Sequence, residues 1–278
     1  MEKSEMLVQA GLNWNVRTEG IQTMSGIVIP DKVCHIREDN NSPLGIVGND
    51  YHTYQNDQLL ELLHQISAKT GLELHSGGMF GGGKRVWLQL KSNDLILPGD
   101  KVEGYISGFN SFDGSTSLAF GNSNKTVSCE NTFWMAYRSV DSKLRHSSQM
   151  TIRIEMILQN IDLLLKEEKN TFEKIQRLGN VKMSEEVKQM VVDVMFDLKK
   201  QEQLDKEYST RKTNSMNRFF VDLNGELQQK GDNLWGLFSG ITKYTTHSMK
   251  KTDNSENKIF GVAGNKERLL FNKLVELA

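Results

Sequence analysis

The most constraining feature of this chain is where it lacks proline. Only three prolines occur in 278 residues, Pro30, Pro43 and Pro98, and all precede residue 100. Proline fixes φ and removes a backbone donor, so helix interiors exclude it. Everything after Pro98 is free to run in long helices, and the apolar spacing uses that freedom. Ile154, Ile157, Leu158, Ile161, Leu164 and Leu165 recur at helical intervals within Thr151–Leu178. Ser184, followed by Glu185 and Glu186, predicts a capped helix start with Val187, Val191, Val194, Met195 and Leu198 on its buried face. Asp232 is the expected cap of a helix holding Leu234, Trp235, Leu237, Phe238 and Ile241, and Asn265–Leu277 reads as a last amphipathic helix.

The first half carries strand signals instead. Met24–Pro30 and Val33–Arg37 read as strands on either side of a Pro-Asp turn. Gly48-Asn49-Asp50 is turn chemistry, and a short helix is expected over Asp57–Lys69 with Asn56 or Asp57 as its cap. Lys84–Lys91 alternates, with Val86, Leu88 and Leu90 on one face and Arg85, Trp87 and Gln89 on the other. Val102–Asn110, the Asp113-Gly114 turn, Ser115–Asn122 and Lys125–Ser128 extend this to three or four antiparallel strands. Glu130-Asn131-Thr132 then opens a helix through Tyr137. The expected class is α+β: a small antiparallel meander packed on long helices, with an α+β core over 1–150 and a helical region over 151–278 on that core.

Composition narrows the function classes. Lys and Arg number 34 against 35 for Asp and Glu, so no global charge draws the chain to nucleic acid, and any such affinity must be local. Two cysteines, Cys34 and Cys129, are too few for a disulfide scaffold, and a reduced compartment is expected. No apolar run reaches the roughly 18 residues of a membrane helix, and Met1–Asn15 lacks the pattern of a signal peptide.

Several constellations invite chemistry. Gly77–Gly83 followed by Lys84 resembles a phosphate loop. It lacks the Lys-Ser/Thr step and enters a strand rather than a helix, so a turn is expected, with a mobile loop touching phosphates through Lys84 and Arg85 as the functional alternative. Cys129 and His146 could form a thiol–imidazole pair, with Asn131 and Thr132 beside them, although nothing else marks an acyl-transfer site and a cap for the following helix is the favoured reading of Asn131 and Thr132. The six histidines show no metal-ligand spacing, and no metal or cofactor is expected.

Charge is distributed unevenly. Met1–Leu60 holds four basic and eight acidic residues, while Met79–Arg153 holds nine basic and six acidic. Aromatics interleave with that basic stretch: Trp87, Tyr105, Phe109, Phe112, Phe120, Trp134 and Tyr137. A basic groove with stacking aromatics holds single strands without reading sequence. Further basic clusters occur at Arg211, Lys212 and Arg218, and at Lys243, His247, Lys250 and Lys251.

An ordered series of segments resembles the phage/plasmid-like protein family, a domain of unknown function found mostly on mobile elements. The segments are Gly48–Asn56 (GNDYHTYQN), the Gly-rich turn into Val86-Trp87, Ser111–Ser115 (SFDGS), Val127–Thr132 (VSCENT), Arg145-His146-Ser147, and Asn233–Phe238 (NLWGLF) running to Tyr244. The resemblance implies a mobile-element protein in a bacterial cytoplasm. At fold level the order of short helix, meander and long helices is similar to phage single-strand annealing proteins of the RecT, Red-beta and Erf type. That similarity implies a non-catalytic single-stranded DNA-binding protein, a homo-oligomer in rings or filaments, with Lys84, Arg85, Trp87, Lys125, Arg138, Lys143, Arg145, His146 and Arg153 at its groove. Two alternatives are a phage anti-defence or regulatory protein acting through protein contacts, and an enzyme built on Cys129 and His146.

Overall fold

A computed structural model describes residues 3–97, 99–124, 127–128, 130–140, 142–159, 161–198, 208–249 and 262–278. It bears out the α+β class, with two antiparallel sheets and many helices. The chain divides into two compact units that are discontinuous in sequence, Met1–Asn93 with Glu103–Glu168, and Asp94–Val102 with Lys169–Ala278.

The first unit opens with helix α1 (Lys3–Gln9) and a three-stranded sheet in the order β1 (Val16–Gln22), β2 (Val28–Arg37), β3 (Pro43–Gly48). The Pro-Asp step does not break the strand as its sequence suggests. Pro30 and Asp31 sit inside β2, at a register shift where Ile21 pairs with Ile29 but Gly20 pairs with Val33. The shift leaves Pro30 without a ladder partner on β1, so its missing N–H costs nothing. The reversal falls instead at Thr23–Ile27, where Thr23 N donates to Ile27 O at 2.8 Å.

Helix α2 (Asn56–Thr70) follows, and its cap is Gln55 rather than Asn56 or Asp57. The Gln58 side chain accepts from the Gln55 backbone N at 2.8 Å. Asn56 faces the N-terminal segment instead, and its buried amide donates to the carbonyls of Leu12 and Trp14, both at 3.1 Å. Gln55 clasps Val16 through both backbone groups, at 2.9 and 2.8 Å. These two side chains thus tie the N-terminal segment to α2.

The second sheet is a meander in the order β4 (Glu73–Phe80), β5 (Arg85–Leu97), β6 (Asp100–Ser111), β7 (Leu118–Ser123), β8 (Ser142–Leu144). Residues 127–128 are not in a strand, and Lys125 and Thr126 lie outside the described residues. The last strand comes instead after α3 (Glu130–Ser139). In the first unit, one face of this sheet packs on α2 and on α4 (Met150–Gln159) through Leu59, Leu63, Ile66, Val86, Leu88, Ile106, Ile154 and Leu158. Gly108 lets α2 approach β6, since a Cβ there would lie 3.1 Å from a Leu59 methyl. Elsewhere Phe109 meets Phe133 and Tyr137 of α3 edge to face, at 5.2 and 5.8 Å. Strand β5 is therefore buried from Val86 to Leu90 on both faces.

Only the end of the Gly-rich stretch turns: Gly77 and Gly78 lie in β4, paired with Leu88 and Trp87, and Gly81–Gly83 make a clamped turn into β5. Gly83, at φ +108°, is buried so tightly that a Cβ would lie 2.9 Å from the Trp14 ring. Arg37 stacks on Trp14 at 4.2 Å and donates to Gly82 O at 2.9 Å.

The second unit contains most of α5 (Ile161–Asn180), then α6 (Glu185–Phe196), α7 (Thr210–Lys230), α8 (Leu234–Lys243) and α9 (Val262–Leu277) around one apolar core. Ser184 caps α6, accepting from Val187 N at 3.3 Å. The cap of α8 is Asn233, accepting from Gly236 N at 2.8 Å, and not Asp232. Glu226 lies between Lys230 and Lys243 at 3.1 and 2.9 Å, and Lys230 reaches Asp100 at 3.0 Å.

Candidate functional site

Three loops of the first unit converge on one cavity. Tyr51 comes from the connection between β3 and α2, residues 114–117 from the hairpin between β6 and β7, and Arg145 and His146 from the segment after β8. Tyr137 of α3 completes the lining, and the cavity measures about 370 Å³.

Each loop is fixed by its own chemistry. In the hairpin, Asp113 Oδ1 accepts from Ser115 N at 2.9 Å, and Gly114 takes φ +76°. Ser111 closes the loop, its hydroxyl donating to Thr116 O at 2.8 Å and accepting from Thr116 N at 3.1 Å. Ser117 N donates to the Tyr137 hydroxyl at 3.1 Å. Phe112 N donates to Lys84 O at 2.8 Å, which fastens the Gly-rich turn beside the same loop.

His35 joins the loops from beneath. It is fully buried on β2. Its Nδ1 lies 2.7 Å from Phe112 O, and a carbonyl can only accept, so Nδ1 carries the proton. Nε2 then accepts from the Thr53 hydroxyl at 3.0 Å. The ring meets Tyr51 edge to face at 5.3 Å, and Tyr51 donates its hydroxyl to Ser111 O at 2.7 Å. Tyr51 stacks in turn on His146, with centroids 4.3 Å apart and planes 13° apart. His146 Nδ1 donates to His52 O at 3.1 Å, and His52 N donates back to His146 O at 3.2 Å.

Burial decides the charge of both imidazoles. It lowers His35 below the ordinary histidine value and pushes His146 down to about 4. Both are neutral at pH 7, so the cavity's positive charge rests on Arg145. That side chain is exposed and has no hydrogen bond or ion pair among the described residues. Around it stand Ser115, Thr116 and Ser117.

The other sequence-chosen residues scatter. Lys84 is exposed, and Arg153 is exposed on α4. Lys143 is exposed, donates to Val140 O at 2.8 Å and lies over the Tyr137 ring at 5.1 Å. Arg138 is half-buried on α3. Arg85 turns inward to Glu130 at 2.5 Å and over Trp134 at 5.2 Å. Trp87 is buried, and the other aromatics of the basic stretch are core side chains as well, so they offer no stacking platform. Lys125 and Cys129 lie outside the described residues, as does the Asn131 side chain. Among the described residues no three His, Cys, Asp or Glu side chains gather to hold a metal ion, and no helix is long and apolar enough to cross a membrane.

A protein-family model described as a domain of unknown function, DUF932, matches residues 43–262. The chain belongs to the DUF932 family. No curated protein and no solved structure matches it. Every residue lining the cavity lies inside the DUF932 match, whereas His35 precedes it. Sequence reasoning missed His35 and Ser117 as site residues. Tyr51, Thr53 and Ser115 were visible only as parts of the resembling segments.

Proposed function

We propose that this DUF932 protein is a non-catalytic single-stranded DNA-binding protein of the phage annealing type, acting as a homo-oligomer in a bacterial cytoplasm on behalf of a mobile element. The observation that carries the reading is Arg145: an exposed guanidinium without a hydrogen-bond or ion-pair partner among the described residues, lining a cavity together with Ser115, Thr116 and Ser117. A guanidinium binds phosphate through paired donors, and hydroxyls add neutral ones. The volume falls in the range of small-ligand clefts, roughly 300–1,000 Å³, and suits a phosphate with its sugar. Lys84, fastened beside the hairpin loop through its carbonyl, is a second exposed cation on the same unit. Because the aromatics are buried, grip comes from the backbone and little sequence preference is expected.

Fluorescence anisotropy with a labelled single-stranded oligonucleotide, at low and moderate salt, tests this. Binding should weaken steeply with salt and exceed binding to duplex. Arg145→Glu should weaken it about tenfold or more, the scale of one lost charge-assisted contact. No binding at low salt, or binding indifferent to Arg145→Glu, overturns the assignment.

A further inference from the structure

The β1–β2 hairpin is an arm with both faces in solvent. From Thr18 to Lys32 every residue is exposed except the half-buried Ile21, although the two strands pair on either side of the register shift and the turn is well bonded. Thr23 Oγ1 accepts from Ile27 N at 3.1 Å, and Gly26 N donates to Thr23 O at 2.9 Å. A lone two-stranded ribbon is marginal in water, so an arm of this kind is stabilised by whatever covers it.

The tip is apolar. Met24 is 109% exposed, Ile27 65%, Val28 67% and Ile29 37%, with Ile21 paired to Ile29 across the ladder. Alternation sets Ile21 and Ile29 on one face of the ribbon and Val28 on the other, with Met24 in the turn, so a partner that covers the tip must engage it from both sides. Strand β1 is also an edge of its sheet, so its outer backbone groups can pair with another strand.

Charge selects the occupant. Ile21–Pro30 contains no charged residue in a chain where charged residues make up 25%. The flanking charges come in opposite signs, Arg17 with Glu19 on β1 and Asp31 with Lys32 on β2. A two-fold axis sets a surface against itself, so net charge there would repel. This surface has none. We infer that the arm docks on the same arm of a second copy of this chain about a two-fold axis, through the tip side chains and the β1 edge.

The inference rests on the homo-oligomer of the proposed function and names its interface; it does not depend on nucleic-acid binding and is tested without DNA. Light scattering coupled to size exclusion on the nucleic-acid-free full chain should give at least twice the chain mass. Met24→Lys with Val28→Lys should bring it down by a factor of two, with an unchanged circular dichroism spectrum because both sites are exposed. Ile152→Lys, an equally exposed site on α4 outside the arm, should leave the mass unchanged. A wild-type chain at single mass, or arm variants that keep the full mass, overturns the inference. A single-mass chain whose arm instead carries it onto lipid vesicles would assign the arm to a membrane surface and equally overturn it.

Discussion

At the residue scale the buried His35 and the half-buried His146 govern the cavity and its response to acid. Both fold as neutral rings with values below their unfolded 6.5. The unfolded chain therefore binds more protons as pH falls below 6.5, and stability is lost in that direction. It is full above about 6.5 and declines toward the folded value, about 4 for His146. By pH 5 the loss should reach about 2 kcal/mol for His146, since one pKa unit is about 1.4 kcal/mol. His146→Asn keeps a donor for the His52 carbonyl but cannot titrate. Chemical denaturation at pH 7 and pH 5 should show a smaller decline for this variant than for wild type. An equal decline would mean that His146 is already solvated. None of this is legible in the sequence, because the histidines look scattered along the chain. His35 and His146 become partners of one ring, Tyr51, only after β2 and two distant loops are closed on each other. Arg85 and Trp87 mislead for a related reason: alternation separates the two faces of β5 but does not say that both are buried.

At the element scale the chain is largely readable where local chemistry decides. The absence of proline, the Ser184 cap and the apolar spacing place the later helices, and Asp113-Gly114 places the hairpin between β6 and β7. Reading fails where a side chain serves a distant element. Asn56 resembles a helix cap, yet it holds two backbone carbonyls of the N-terminal segment. Its removal leaves those carbonyls without this donor in a buried place, so Asn56→Leu should cost about 2 kcal/mol, near 1 for each hydrogen bond. The denaturation midpoint should fall with no change in slope. A midpoint within error of wild type would show that water satisfies the carbonyls. Asp232 and Asn233 illustrate the smaller error, one residue, that adjacent capping side chains always invite.

At the scale of the whole molecule, near-neutral net charge forces DNA affinity to be local. The second unit also carries cations, and several are occupied: Lys243 pairs with Glu226, and Arg218 donates to Ser215 at 3.2 Å. Arg211 is exposed on α7 and belongs to a different compact unit from the cavity. Charge reversal separates a general electrostatic effect from a specific grip. Both Arg145→Glu and Arg211→Glu change net charge by two, so a mere change of overall charge would weaken DNA binding equally in both. A phosphate held at the cavity predicts inequality. Arg145→Glu should remove one phosphate contact and flatten the plot of log affinity against log salt by about one unit. Arg211→Glu should leave that slope unchanged and the affinity within about twofold at 0.15 M salt, because Arg211 is not among the residues that line the cavity. Equal slopes for the two variants would spread the DNA contact over both units and deny the cavity its special place.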